Sequence, residues 1–174
     1  MKKLLLLSVL FMFACDQDSK EKTLLADSSA KEIIGNQLAV YDYDGIEQFL
    51  TATDDKVHVV NFWATWCKPC IKELPYFEEV NANYDKKDVE VLLISLDFPA
   101  QFEKRLIPYI NENNLQSKVV ALDDPNMNYW IPKVDASWTG AIPATIIYSK
   151  DKRQFYERSF TYEELESEIK QFLK

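Results

Sequence analysis

The sequence predicts an α/β fold, a central mixed sheet flanked by helices, and three observations carry that reading. Residues 57–63 and 89–96 are near-continuous apolar runs, the mark of central strands covered on both faces. Segments with apolar residues at helical spacing alternate with these runs. Late in the chain, residues 144–148 and 153–159 flank the polar turn Ser149-Lys150-Asp151-Lys152 and read as a strand pair, which a final helix follows. Strand–helix alternation followed by a hairpin gives a mixed sheet.

The elements follow in order. Residues 38–43 make a short strand, and 45–52, with Ile46, Phe49 and Leu50 at helical spacing, a short helix. The buried strand at 57–63 leads into a helix over 69–84, whose apolar positions are Ile71, Leu74, Phe77, Val80 and Tyr84. After the strand at 89–96, residues 102–113 are helical, with Pro108 as a kink or break because proline lacks the N–H that a helix interior needs. Residues 118–122 form a short strand and 126–133 a helical turn. Thr161 caps the last helix, Glu164 stands at the capping-box position, and Leu165, Ile169 and Phe172 make its apolar face. Only three glycines occur, so most turns rest on Asn, Asp and Lys rather than on positive φ.

At 174 residues, 47% apolar and 28% charged, the chain fits one globular domain with an extension at an end. The extension is N-terminal. Lys2 and Lys3 precede an apolar stretch, residues 4–14, that is broken only by Ser8 and too short to span a bilayer; Cys15 follows the small Ala14. This is the layout of an export signal. Residues 1–14 are expected to be a signal peptide, 15–36 a polar tether with a reach of roughly 25 Å, and 37–174 the folded domain. Loss of residues 1–14 removes two lysines and no acid, taking the net charge from −8 to −10. Such a surface argues against nucleic acid and against electrostatic binding to anionic lipid.

Of three cysteines, Cys67 and Cys70 carry the chemistry. They stand three apart in Trp66-Cys67-Lys68-Pro69-Cys70, between a buried strand and a helix. Residues i and i+3 of a helix share a face, which brings the two Cα atoms within disulfide range. A helix N-terminus stabilises a thiolate through its free N–H groups and dipole. The pair can therefore close, open and attack, which is thiol–disulfide chemistry. The alternative is half of a zinc site, but such a site needs four ligands, and the chain offers no second Cys pair and one His. No metal is expected, and no cofactor beyond the redox-active Cys67–Cys70 pair, since no glycine-rich nucleotide motif is present. The one histidine, His58, lies inside the buried-strand pattern and reads as structural.

The stretch Val59-Val60-Asn61-Phe62-Trp63-Ala64-Thr65-Trp66-Cys67-Lys68-Pro69-Cys70 resembles the active-site segment of thioredoxin-like proteins, most closely their exported TlpA/ResA branch. Pro75 stands where thioredoxins carry a helix-kinking proline. Gly140-Ala141-Ile142-Pro143-Ala144-Thr145, with Val134-Asp135 ahead of it, resembles their cis-proline loop. An extra helix and strand, about 99–122, interrupt the basic thioredoxin-like fold before that loop, as in the branch. The likeness covers about residues 37–174. Cys15 resembles the lipidated cysteine of a bacterial lipoprotein, although Met12 and Phe13 depart from that pattern. A plain cleaved signal, or an uncleaved anchor with Cys15 idle, is the alternative.

The resemblance implies roles residue by residue. Cys67 is the exposed nucleophile that forms a mixed disulfide with substrate, and Cys70, buried one turn inside, resolves it. Lys68 is a positive charge beside Cys67, and the Lys68-Pro69 dipeptide contributes to the reduction potential, with Pro69 suited to a helix start. Pro143 is cis and packs against the cysteines, and the backbone of Ile142 pairs with an extended substrate. Trp66 shields the sulfurs and lines the substrate surface. Trp63 belongs to the core, and Trp138 either borders the site or packs. Glu73 shares a helical face with Cys70 and acts as proton acceptor or donor, burial raising its pKa; the alternative is a solvated helix glutamate. Where thioredoxin has a buried aspartate, this chain has Asn61, which does not titrate.

The function so implied is a reductant of disulfides in other exported proteins, apocytochrome c among them. It is lipid-anchored in the bacterial cell envelope (periplasm) and recharged by a membrane electron donor. Two alternatives stay open. One is a disulfide-introducing oxidant, since potentials in this fold run from about −270 to −120 mV. The other is a copper-binding chaperone with the thiols as soft ligands, against which stand the close Cys spacing and the single His. A peroxidase lacks its separate peroxidatic cysteine.

Overall fold

The computed structural model describes residues 32–34, 38–84 and 88–173. The expected signal peptide, Cys15 and most of the expected tether lie outside the described residues. Seven strands form one sheet among them: β1 (Glu32–Ile34), β2 (Leu38–Tyr41), β3 (Val57–Trp63), β4 (Val89–Ser95), β5 (Lys118–Leu122), β6 (Ala144–Tyr148) and β7 (Arg153–Tyr156). Their order is β1-β2-β5-β4-β3-β6-β7. The inner pairs β2–β5, β5–β4 and β4–β3 are parallel, while β1–β2, β3–β6 and β6–β7 are antiparallel. The sheet is mixed, as the alternation and the hairpin predict.

Every residue of β3 is buried, and its side chains alternate between two cores. Val57, Val59 and Trp63 face one core, filled by Cys70, Leu74, Phe77 and Val80 of α2 (Lys68–Asn83) and by Leu165 and Ile169 of α5 (Tyr162–Lys170). Val60 and Phe62 face the other, filled by Tyr43 and Ile46 of α1 (Tyr43–Ile46) and by Trp130 and Val134 of α4 (Met127–Val134). This parity places Asn61 on the α2 side, a position the site depends on.

The inserted segment runs from a 3₁₀ turn at Pro99–Gln101 through a π-helical turn at Phe102–Leu106 into α3 (Ile107–Glu112), and ends in β5 between β2 and β4. The break expected at Pro108 takes the form of that π turn, which Ile107 N–H closes onto the Phe102 carbonyl. Pro108 then falls in the first turn of α3.

Three elements depart from the sequence reading. β1 lies within the stretch expected to be tether, and it covers the otherwise unpaired edge of β2. α1 starts at Tyr43 rather than at residue 45, because the Asp42 side chain accepts from Gly45 N–H and caps it; a 3₁₀ turn at Glu47–Phe49 follows. β7 stops at Tyr156, and the next residue, Glu157, turns its carboxylate to another loop. The capping box at Thr161 and Glu164 is formed, with Glu164 N–H donating to Thr161 Oγ1 at 3.3 Å and Thr161 N–H to Glu164 Oε2 at 2.9 Å. Thr161→Ala is expected to lower stability by about 1 kcal/mol in urea unfolding; an unchanged midpoint counts against the cap.

Candidate active site

Three loops meet at one end of the sheet, beyond β3 and β4 and before β6. After β3 the chain turns through Ala64, whose carbonyl accepts from Cys67 N–H at 3.0 Å. Asp97, buried just past β4, fixes this turn. Its carboxylate accepts from Thr65 N–H at 2.9 Å, from Thr65 Oγ1 at 2.5 Å and from Ser95 Oγ at 2.9 Å. The turn delivers Cys67 as the N-cap of α2, and its sulfur accepts from Cys70 N–H at 3.3 Å. That free amide is what stabilises negative charge on a sulfur at this place. Pro69 occupies the first turn.

Cys67 and Cys70 form a disulfide with their Cα atoms 5.3 Å apart. Cys70 is fully buried and Cys67 retains 5% exposure. The order of accessibility is the expected one, but Cys67 is far less open than an exposed nucleophile. One cover is the Ile142 carbonyl, 3.7 Å from Cys67 Sγ. In the disulfide this is a contact, since the sulfur carries no proton; a reduced thiol has the donor to bond there.

The third loop carries Ile142 and a cis Ile142–Pro143 bond. Glu157 accepts from Ala141 N–H at 3.0 Å, from Thr139 N–H at 3.2 Å and from the Thr139 hydroxyl. The Thr139 hydroxyl, with the two amides, holds its carboxyl below the usual range. Trp138 Nε1 donates to the Ala141 carbonyl at 2.8 Å. Trp138 is buried against Phe62 and Trp130, so it packs and supports the loop from beneath. Gly140 takes φ +92°, and a Cβ there would lie 3.1 Å from Ile131 Cδ1.

One turn past Cys70 on α2 stands Glu73, 1% exposed. The solvated-glutamate alternative does not hold. Its Oε1 accepts from Asn61 Nδ2 at 3.1 Å and its Oε2 from Phe160 N–H at 2.8 Å. Asn61 also donates to Thr145 Oγ1 at 3.0 Å, and its own Oδ1 is buried without a partner among the described residues. Burial pushes the Glu73 carboxyl up to about 7, against the lowering pull of the Phe160 amide, the Asn61 side chain and the Arg158 charge. Asn61, read as a non-titrating replacement, is thus a direct partner of Glu73.

The remaining residues fall as follows. Lys68 and Pro69 are exposed on the first turn of α2, and Trp66 stands 47% exposed beside Cys67. Trp63 is core. His58 is structural: its Nε2 lies 2.7 Å from Asp54 Oδ1 and its ring stacks on Tyr148. Among the described residues, no group of three or more His, Cys, Asp or Glu side chains is placed to hold a metal. The anchoring roles of Asp97 and Glu157 were not legible, because their partners are backbone amides of distant loops.

Residues 26–153 match the AhpC/TSA family. The chain belongs to that family. Over 80 residues it is 39% identical to the thiol-disulfide oxidoreductase ResA of Geobacillus thermodenitrificans, across 45% of this chain and 43% of that protein. Over 113 residues it is 30% identical to the ResA of Bacillus thuringiensis, across 64% of this chain and 60% of that one. The chain thus spans about half the length of these relatives. A thioredoxin-related protein from Neisseria meningitidis serogroup B superposes with a TM-score of 0.57 at 22% identity, covering 70% of this chain and 87% of its own. The fold of this AhpC/TSA-family chain is therefore thioredoxin-like, with the inserted helix and strand.

Glu73 makes stability depend on pH. Its carboxyl binds a proton more tightly in the folded state, near 7, than at the ordinary 4.5. The part of the stability that Glu73 sets is therefore greatest below pH 4.5, falls as pH rises to about 7 and is flat above. The loss is roughly 3 kcal/mol. In urea unfolding of the disulfide form across pH, the stability of the wild type relative to Glu73→Gln is expected to fall between pH 4.5 and 7; parallel pH curves contradict it.

Proposed function

We propose that this chain is an exported thiol–disulfide oxidoreductase of the bacterial envelope, anchored through lipidated Cys15, which reduces disulfides in other exported proteins. The observation that carries the reading is the disulfide-bonded pair at the N-cap of α2, with the Cys67 sulfur facing the Ile142 carbonyl beside cis-Pro143. The relatives named thiol-disulfide oxidoreductase support it.

In the reduced protein, the Cys67 thiolate attacks one sulfur of a substrate disulfide, forming a mixed disulfide and releasing the other sulfur as a thiolate. Cys70 then loses its proton and attacks Cys67 Sγ. The mixed bond breaks, the second substrate thiolate leaves, and the Cys67–Cys70 disulfide closes, two electrons having passed to the substrate. Glu73, one helical turn past Cys70 and ionised in part near neutral pH, is the acceptor for the Cys70 proton. Ile142 pairs with the extended substrate backbone, and Trp66 covers the reacting sulfurs. An apocytochrome c haem site is a fitting substrate, and a membrane electron donor recharges the dithiol.

The direction has a physical basis. Cys70 is fully buried and Glu73 shares its helical face, and both burial and a nearby carboxylate disfavour a thiolate. That weights the pair toward the disulfide and makes the dithiol a donor. The Cys70 amide on Cys67 Sγ pulls the other way, which keeps the oxidant as the second reading.

Substitution separates the roles. Cys67→Ser should reduce a test disulfide no faster than background, and Cys70→Ser should accumulate mixed disulfides on a non-reducing gel. Wild-type turnover by the first, or nothing trapped by the second, removes the assignment.

A further inference from the structure

We propose that Trp66 and Phe98 form an aromatic platform that selects substrate disulfides with an aromatic side chain next to the attacked cysteine. The inference rests on the thiol–disulfide reading above and names a substrate class for that site. Phe98 is 67% exposed and Trp66 47%. Their rings lie nearly parallel, at 19° with centroids 6.4 Å apart. Single exposed apolar residues are ordinary, but two large rings stacked on each other beside a nucleophile form a patch.

The platform is held in place before any ligand arrives. Thr65 and Asp97, the residues just ahead of the two rings, are tied by two hydrogen bonds between the Thr65 amide and hydroxyl and the Asp97 carboxylate. Asp97 N–H in turn donates to Ser95 Oγ at 3.0 Å. Neither backbone needs ordering when a side chain docks, and such preorganisation raises affinity.

Charge narrows the partner. The chain carries −8 overall, yet the exposed sequence neighbours of the two rings are Lys68, Pro69, Pro99 and Ala100, with no acid. Asp97, just ahead of Phe98, is buried and bonded. Among these neighbours a basic segment meets only Lys68, a like charge, whereas an apolar one meets the rings. On the other side of Cys67, both backbone groups of Ala141 are taken, its N–H by Glu157 and its carbonyl by Trp138. Ile142 is left to meet an extended chain, as in pairing to a sheet edge. A substrate cysteine seated at Cys67 then brings its neighbouring residue within reach of Trp66, the next residue along.

The test uses three synthetic peptides with one intramolecular disulfide, identical except for Phe, Ser or Lys before the first cysteine. The second-order rate of their reduction by the reduced protein is followed by the change in tryptophan fluorescence. The wild type is expected to reduce the Phe peptide about fivefold faster than the Ser peptide, the scale of one aromatic contact, and the Lys peptide slowest. Phe98→Ser should bring the Phe/Ser ratio close to one, and Phe98→Trp should keep it. Equal rates in the wild type, or a ratio that survives Phe98→Ser, overturn the platform alone. No reduction of any peptide overturns the oxidoreductase reading and the platform with it. A wild-type dimer that Phe98→Ser turns into a monomer also overturns the inference, by giving the rings to a second copy.

Discussion

The buried carboxylate of Glu73 is the constraint around which the site is built. Its two oxygens reach different parts of the fold, one to Asn61 in the central strand β3 and the other to the Phe160 amide just ahead of α5. Asn61 extends the link to Thr145 in β6. One side chain of α2 thereby fixes the helix against the sheet and against its neighbouring helix, and sets where Cys67 and Cys70 stand. Burial of that carboxylate has a cost, partly offset by its two donors, and the remainder appears as a carboxyl that holds its proton up to about pH 7.

Two further carboxylates do for the loops what Glu73 does for the helix. Asp97 locks the turn ahead of Cys67, and Glu157 locks the loop ahead of cis-Pro143. Both accept mainly from backbone or short hydroxyl donors, so each holds its loop at a fixed position rather than forming an ion pair. The sulfur pair and the Ile142 carbonyl meet because these two loops, which flank α2 and β6, are held independently. A chain of net charge −8 thus spends three of its acids on positioning.

Much of this was legible in the sequence where local physics decides. β3, β5 and β6 match their expected limits, because each is an apolar run bounded by turn residues. The Thr161 cap was legible because both partners lie within one turn. The Cys pair and Pro143 were legible through their resemblance to thioredoxin-like proteins. What failed depends on distant partners. β1 exists only as the pair of β2, α1 begins early through the Asp42 side chain, and the residues holding the two loops act through amides far away in sequence. The Asn61–Glu73 pair lies between these cases. Helical spacing puts Glu73 on the Cys70 face and strand parity puts Asn61 on the face of Val59 and Trp63, but only the packing of α2 on β3 brings the two together.

The proposed direction, with electrons leaving this site, is read out by the reduction potential of the Cys67–Cys70 pair at pH 7. Equilibration against a defined thiol buffer should give a value close to thioredoxin's, about −270 mV. A value near −120 mV, about that of the strongest oxidants of this fold, contradicts it and reverses the direction of the chemistry.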